Sequence, residues 1–586
     1  MTRGRRIVVC MVAVVLAASL GLQAQAPAKA DLISVPDLKQ WLGYIASDEL
    51  EGRGNFSEGL ALAAAYIADE MEKLGVKPGG DNGTYFQRVA VKGVQNKGTA
   101  SVTVEVNGQS RTFKLGEGIE LPKNMGGART ITADQIEFVG YGLSLPAAGI
   151  DDYKGRSARG KVVVWLGSQG PSSLDLTKFR RALMGRPRTA TEQEGAIAVI
   201  GPEAIRPGFG GPAGAAAAGA AGAPGQARPA GQAQPPAAMQ MGGQGVPPEV
   251  PDFTTVQRLD GAVTPVISAK DAFFEFLFSG SDVPYATLKA AADKREPLPA
   301  VALKGVKITI TLEPKYEVVR TQYTRNVVAI VEGTDPKLKN TYVGFGAHYD
   351  HVGYAQGGVI QGPTGPRRSA SVGRVTPNTV EDRVWNGADD DGSGTVALMA
   401  LAKAFAQGPK PKRSLIFIWF TGEERGLWGS RFFADHPTVP IDSMVAVLNV
   451  DMIGRNRDNK PEEANVVYLV GSDRISTELH EMSEAANKAM SAPIILDYSY
   501  NDPADSESLY TRSDHYSFAV KGIPVIFYTT GTHPDYHANT DGVDKIEWDK
   551  MATITRLIYR TAVKVANLDH APARDNKGPR AITRGR

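Results

Sequence analysis

From about residue 326 the chain alternates short, continuously apolar runs with amphipathic stretches. The runs fall at 327–331, 341–347, 415–420, 445–450, 466–470 and 524–528. They are too short for buried helices and lack the polar alternation of a half-exposed strand, so they read as strands covered on both faces. Helix-like segments lie between most of them, including 395–405, and 546–568 closes the pattern as a long helix. This alternation predicts an α/β fold, a mostly parallel twisted sheet flanked by helices. Near the N-terminus, 35–45 and 58–74 also read as helices. In the second, Leu60, Ala64, Ile67, Met71 and Leu74 recur at helical spacing on one face, and Gly75 with Pro78 stops it. Segments 84–91 and 100–115 look like strands.

The middle of the chain has a different rhythm. Between 130 and 311 the apolar runs are short and β-rich (136–142, 161–166, 195–200, 263–268), with one helical stretch at 269–279. Within it, 208–251 is dominated by Gly, Ala, Pro and Gln, a composition that buries too little surface to offset its ordering entropy, so a flexible insertion is expected. At 586 residues the chain is too long for one ordinary core. The expected plan is a peptidase-like body in two parts, 34–129 and 312–570, an inserted β-rich domain at 130–311, and a disordered tail at 571–586.

Hydrophobic residues at 42%, charged residues at 22% and a net charge of +2 describe a soluble globular chain and give no polyelectrolyte signal, so nucleic acid is excluded as a partner. Arg3, Arg5 and Arg6 precede an apolar stretch at 7–20, and Leu22-Gln23-Ala24 offers a cleavage site. Residues 1–24 are therefore expected to be a signal peptide, and the protein to be secreted or periplasmic without stable membrane insertion once the signal is removed. The single cysteine, Cys10, lies inside that signal. A metal site in the mature chain must then use His, Asp and Glu.

Ligands of parallel sheets bind at the C-terminal ends of strands. After 341–347 comes His348-Tyr349-Asp350-His351; after 415–420, Thr421-Gly422-Glu423-Glu424; after 445–450, Asp451; after 524–528 and a short loop, Asp535-Tyr536-His537. Between the first two, Gly387-Ala388-Asp389-Asp390-Asp391-Gly392-Ser393-Gly394 opens a helix. Alone, three adjacent aspartates read equally as a solvated helix cap or as carboxylates held together by a cation. A lone strand-end histidine is more often a loop residue than a ligand. The joint placement of these groups is what points to one metal-binding crevice. His351, His533 and Asp514-His515 are weaker candidates beside it.

His348-x-Asp350, Gly387-Ala388-Asp389-Asp390-Asp391-x-Ser393-Gly394, Glu423-Glu424-x-Gly426-x-x-Gly429-Ser430, Asn449-x-Asp451-Met452 and Tyr536-His537 resemble, in order and spacing, the signatures of the co-catalytic di-zinc exopeptidases of the leucyl aminopeptidase and glutamate carboxypeptidase type. The stretch 47–54 resembles that family's N-terminal segment, and 136–200 resembles the start of an inserted protease-associated domain. The resemblance implies two Zn2+ per chain, one on His348 and Asp451, the other on Glu424 and His537, with Asp390 bridging them. It implies Glu423 as general base toward a metal-bridged hydroxide and Tyr536 as a donor to the oxyanion. Asp350 would orient His348 by accepting its second ring N–H, and Asp389 and Asp391 would support the bridge. The implied activity is removal of N-terminal residues from peptide substrates. Two alternatives stay open: a carboxypeptidase or dipeptidase, whose carboxylate receptor could be Arg367, Arg368, Arg374 or Arg383 in the long 355–384 connection, and a non-catalytic receptor-like protein on the same scaffold.

Overall fold

The computed structural model describes residues 32–145, 148–202, 251–354, 359–362, 365–368, 373–379, 381–502 and 505–575. The expected signal at 1–24, all but the last residue of 208–251, much of 355–384 and the tail beyond 575 lie outside them. The chain divides into two compact units. One comprises Met1–Arg88, Arg325–Asn501 and Arg512–Arg586; the other comprises Val89–Thr324 and Asp502–Thr511.

The first unit is built on α1 (Val35–Ile45), α2 (Glu58–Lys73), β1 (Tyr316–Val331, from Arg325 on), β2 (Tyr342–His348), α3 (Gly394–Gln407), β3 (Ser414–Phe420), α4 (Trp428–Asp435), β4 (Met444–Val450), β5 (Val466–Val470), α5 (Thr477–Lys488), β6 (Ile495–Asp497), β7 (Val525–Thr529) and α6 (Trp548–Ala566). The strands lie in the order β1-β3-β2-β4-β7-β5-β6. β2 runs parallel to β3 and β4, β4 to β7, and β5 to β6, while β1 and β5 are antiparallel to β3 and β7. Every residue of β3, β4, β5 and β7 is buried, which is why these strands read as unbroken apolar runs.

Local chemistry sets the helix ends. Ser34 and Ser57 cap α1 and α2 by accepting from the amides of Asp37 and Leu60. Gly75, at φ +70°, follows α2 where the chain must turn. Helix α3 is buried around most of its circumference, and its Gly, Ala and Thr residues keep it slim enough for that position. Its Lys403 reaches Asp37 of α1 at 2.7 Å. From β2 the chain passes through α3 to β3 on one side, then through α4 to β4 on the other. The C-terminal ends of β3, β2, β4 and β7 therefore open on one crevice at a topological switch point.

The second unit is a nine-stranded sheet with a separate core around Val104, Phe138, Val164, Ile200 and Ile308. This unit begins at Val89, whereas the change of rhythm in the sequence falls near 130. Strands Thr99–Val106 and Gln109–Leu115 form a hairpin, and the first of them pairs along its whole length with Val306–Glu313. Val306–Glu313 alternates buried and exposed positions, the period-two signature of a sheet with one covered face. Non-local pairing of this kind leaves no mark in the composition of 89–129. Four short strands, Ile136–Phe138, Val162–Val164, Ala198–Pro202 and Val266–Ala269, are mutually parallel.

Candidate metal centre

β2 ends on His348, which is 1% exposed. Its Nδ1 pairs with the backbone carbonyl of Asp350 at 3.0 Å, which fixes the ring and turns Nε2 into the crevice. Nε2 lies 3.3 Å from Oδ1 of Asp390 and 3.7 Å from Oδ1 of Asp451. The other oxygen of Asp451 accepts from Ser513 Oγ at 2.7 Å, and Ser513 in turn accepts from Asn449 Nδ2. A second group forms across Asp390. Oδ2 of Asp390 is 3.1 Å from Nε2 of His537, which is 3.0 Å from Oε2 of Glu424. Asp390 thus turns one carboxylate oxygen toward His348 and Asp451 and the other toward Glu424 and His537, the disposition expected of a bridge.

The neighbouring aspartates have other partners. Asp391 also comes within reach of His348 and Asp451, but its oxygens accept from the amides of His348, Gly394 and Met452. Those bonds hold β2, α3 and the end of β4 together. Asp389 accepts from Gly454 N at 2.6 Å and faces His533 Nε2 at 3.2 Å. Asp541, missed in the sequence, accepts from the amides of both Asp389 and Asp390 and sits beneath the turn.

The charges explain what this pocket favours. Burial raises a carboxyl pKa, yet His348 and His537 hold Asp390 well below its ordinary value, and His537 with His351 brings Glu424 down to about 2. Burial lowers an imidazole pKa, yet the carboxylates drive His348 and His537 well above theirs. Burial, together with Glu424, Asp451 and Asp514, pushes Glu423 up, against the pull of His348. So dense a set of buried carboxylates favours positive charge at its centre. Asp390 Oδ2, Glu424 Oε1 and both ring nitrogens of His351 are buried without a hydrogen bond. Nitrogen and carboxylate donors around such unmatched atoms fit zinc, and no sulfur is required.

The N-terminal stretch noted in the sequence reaches this centre. Arg53 is fully buried and donates to the carbonyls of Ile45, Tyr349, Asn386 and Gly387. Its own carbonyl receives the amide of His351. Asn55 Nδ2 donates to Asp350 Oδ2 at 2.9 Å, and Asn386 Nδ2 to Asp48 Oδ1 at 2.7 Å. Gly52, at φ +66°, passes so close to the chain that a Cβ would lie 2.4 Å from the Trp385 carbonyl.

Three of the expected residues have partners that the sequence did not show. The His348 ring is oriented by the main-chain carbonyl of Asp350; the carboxylate instead accepts from Asn55 and from the amide of Glu423 at 3.1 Å, because the chain turns directly after β2. Tyr536 stacks on His537, with ring centroids 4.1 Å apart, and its hydroxyl accepts from Arg512 at 3.2 Å. Arg374, one of the suggested carboxylate receptors, turns its guanidinium onto the carbonyls of Pro534 and Tyr536 and stabilises the His533–His537 loop. Arg383 lies on the exposed surface, and the side chains of Arg367 and Arg368 lie outside the described residues.

Residues 326–562 match Peptidase family M28. The chain is 30% identical over 190 residues to the "Probable leucine aminopeptidase" of Arthroderma benhamiae, covering 31% of this chain and 48% of that one. It is 26% identical over 317 residues to "Leucine aminopeptidase 2" of Arthroderma otae, covering 50% and 54%. It thus spans about half the length of the curated relatives it matches. Among solved structures it is similar to BSAP, a zinc aminopeptidase from Bacillus subtilis, at 18% identity and a TM-score of 0.39, covering 93% of this chain and 98% of that one. The M28 match and the leucine aminopeptidase relatives agree with the exopeptidase family read from the motifs.

Proposed function

We propose that the protein is a secreted or periplasmic zinc aminopeptidase that holds two zinc ions and removes N-terminal residues from peptides. The observation that carries this reading is the orientation of Asp390, with one oxygen toward each of two donor groups and Glu423 beside them. His348 and Asp451 would hold one ion, Glu424 and His537 the other, and Asp390 both. When bound, such ions supply Lewis acidity toward the scissile carbonyl and acidify water.

The protein's own groups do the rest. The Glu423 backbone is fixed by Asp350, and its carboxylate, raised by burial and by its acidic neighbours, is suited to take a proton from water and return it to the leaving amine. The Tyr536 hydroxyl, polarised by the Arg512 guanidinium, is the donor available to an oxyanion. Residues 1–24 serve as the export signal in this reading. The unit beginning at Val89 is taken as the protease-associated insertion, which its four parallel strands support. Among the described residues no helix is long and apolar enough to cross a membrane.

The carboxypeptidase or dipeptidase reading keeps one supporting observation, the Arg512 cation at the Tyr536 hydroxyl. Peptides acetylated at the N-terminus or amidated at the C-terminus separate the two. Cleavage is expected to need the free amine and to ignore amidation; loss of cleavage on amidation overturns the aminopeptidase. In the same assay Glu423→Gln should keep its zinc and lose about 10²–10⁴-fold in kcat. Unchanged turnover removes Glu423 from the role of base.

A further inference from the structure

We propose that His351 is an additional metal donor on the Glu424–His537 side of the centre, an assignment that rests on reading the crevice as a metal site. The His351 side chain is wholly buried, and Nδ1 lies 2.9 Å from Glu424 Oε1 and 3.8 Å from Asp390 Oδ2. At 2.9 Å the pair is close enough for a hydrogen bond, yet neither ring nitrogen makes a well-directed one. His351 Nδ1, Glu424 Oε1 and Asp390 Oδ2 are spaced as co-ligands of one cation are. His351, Asp390 and Glu424 offer atoms that all come within mutual ligand reach.

The fold makes room for this ring and holds it. Gly387 has φ +56°, and a Cβ there would lie 2.5 Å from His351 Cδ2, so the bare backbone of the Asp389–Asp391 turn forms the wall against which the imidazole rests. The amide of His351 is tied to the Arg53 carbonyl. The His537 ring stands edge-on, its centroid 5.7 Å away. A buried imidazole with no hydrogen bond is costly unless something takes its lone pair. Neutral imidazole is also among the better donors for zinc.

The two sides of the centre are then unequal. One has His348 and Asp451 beside the shared Asp390; the other has His351, Glu424 and His537. Challenging the zinc-loaded wild type with increasing chelator should release zinc in two steps, read as zinc per chain by elemental analysis. In His351→Ala the later step should move earlier by on the order of 10²-fold in chelator or more, beyond the ~10–100-fold of a residue that only orients a ligand. The earlier step should stay where it is. His351→Gln, which keeps most of the side-chain volume, should behave like the alanine variant, and the metal-free forms should melt together with the wild type. Coincidence of both steps with the wild type overturns the assignment. So does an equal shift of both steps, which marks a role through the surrounding fold. A wild-type chain that takes up no zinc overturns the metal centre itself, a result distinct from failure of His351 alone.

Discussion

Asp390→Ala is expected to leave the chain unable to hold zinc on either side of the crevice and to take peptidase activity to background. The reason is geometric. Among the described residues, Asp390 is the carboxylate of this crevice whose two oxygens face different donor groups, at 3.3 Å from His348 and 3.1 Å from His537. Without it each side loses a donor, and the remaining carboxylates face one another with less to balance them. Affinity should fall by more than the ~10–100-fold that follows loss of a residue orienting a ligand. Asp391→Ala is the informative contrast. Its carboxylate is bound to three backbone amides, so its removal strands buried donors at roughly 1–3 kcal/mol each while leaving the donor groups intact. The Asp391 variant should therefore unfold at lower urea yet retain its zinc when folded. Asp391→Asn, which keeps one accepting oxygen, should fall between it and the wild type. Zinc per chain measured beside urea midpoints separates the two positions. Equal metal loss at 390 and 391 means that the bridge has been placed on the wrong carboxylate.

The contrast also shows what the sequence could disclose. Strands β2, β3, β4 and β7 were legible because burial on both faces writes itself as unbroken apolar runs. The polar residues after those runs had to meet, since parallel strands deliver their C-terminal ends to one edge. His348, Glu424, Asp451 and His537 were visible on that ground. The division of labour among Asp389, Asp390 and Asp391 was not, because it depends on which way each carboxyl turns in a tight, largely non-helical stretch. The same limit applied to Asp350, where the carbonyl and not the side chain meets His348. It applied to Asp541 and Asn55, whose roles rest on partners about 150 and 295 residues away. In the second unit the pairing of Thr99–Val106 with Val306–Glu313 was not legible, since strand pairing across roughly two hundred residues has no local signature. His351 follows a ligand motif directly, and only the three-dimensional turn shows that it faces inward beside Glu424.

Arg53→Ala should be among the most destabilising single substitutions in the first unit. The guanidinium is wholly buried and supplies hydrogen bonds to four main-chain carbonyls drawn from three segments. Removal strands those acceptors and opens a cavity, at a combined cost of at least ~4 kcal/mol from the carbonyls alone. Five of the six tryptophans lie in the first unit, so urea unfolding followed by tryptophan fluorescence reports chiefly on it. Two of the carbonyls belong to Asn386 and Gly387, just before the Asp389–Asp391 turn, and one to Tyr349, beside His348. The folded variant should therefore bind zinc more weakly on both sides of the centre, unlike a change at His351. Two explanations of Arg53 compete. Burial pulls its pKa down to about 10 while Asp350, Asp390, Asp391 and Asp541 pull it back up, so it could act as a counter-ion to the acidic crevice. Alternatively its planar fork, which no other side chain reproduces, is what joins the three segments. Arg53→Lys decides between them, because lysine keeps the charge and cannot reach four carbonyls at once. Recovery of most of the lost stability by lysine favours the counter-ion. The geometry argues for the fork, and the expected result is that Arg53→Lys stays close to Arg53→Ala in urea midpoint and in zinc affinity.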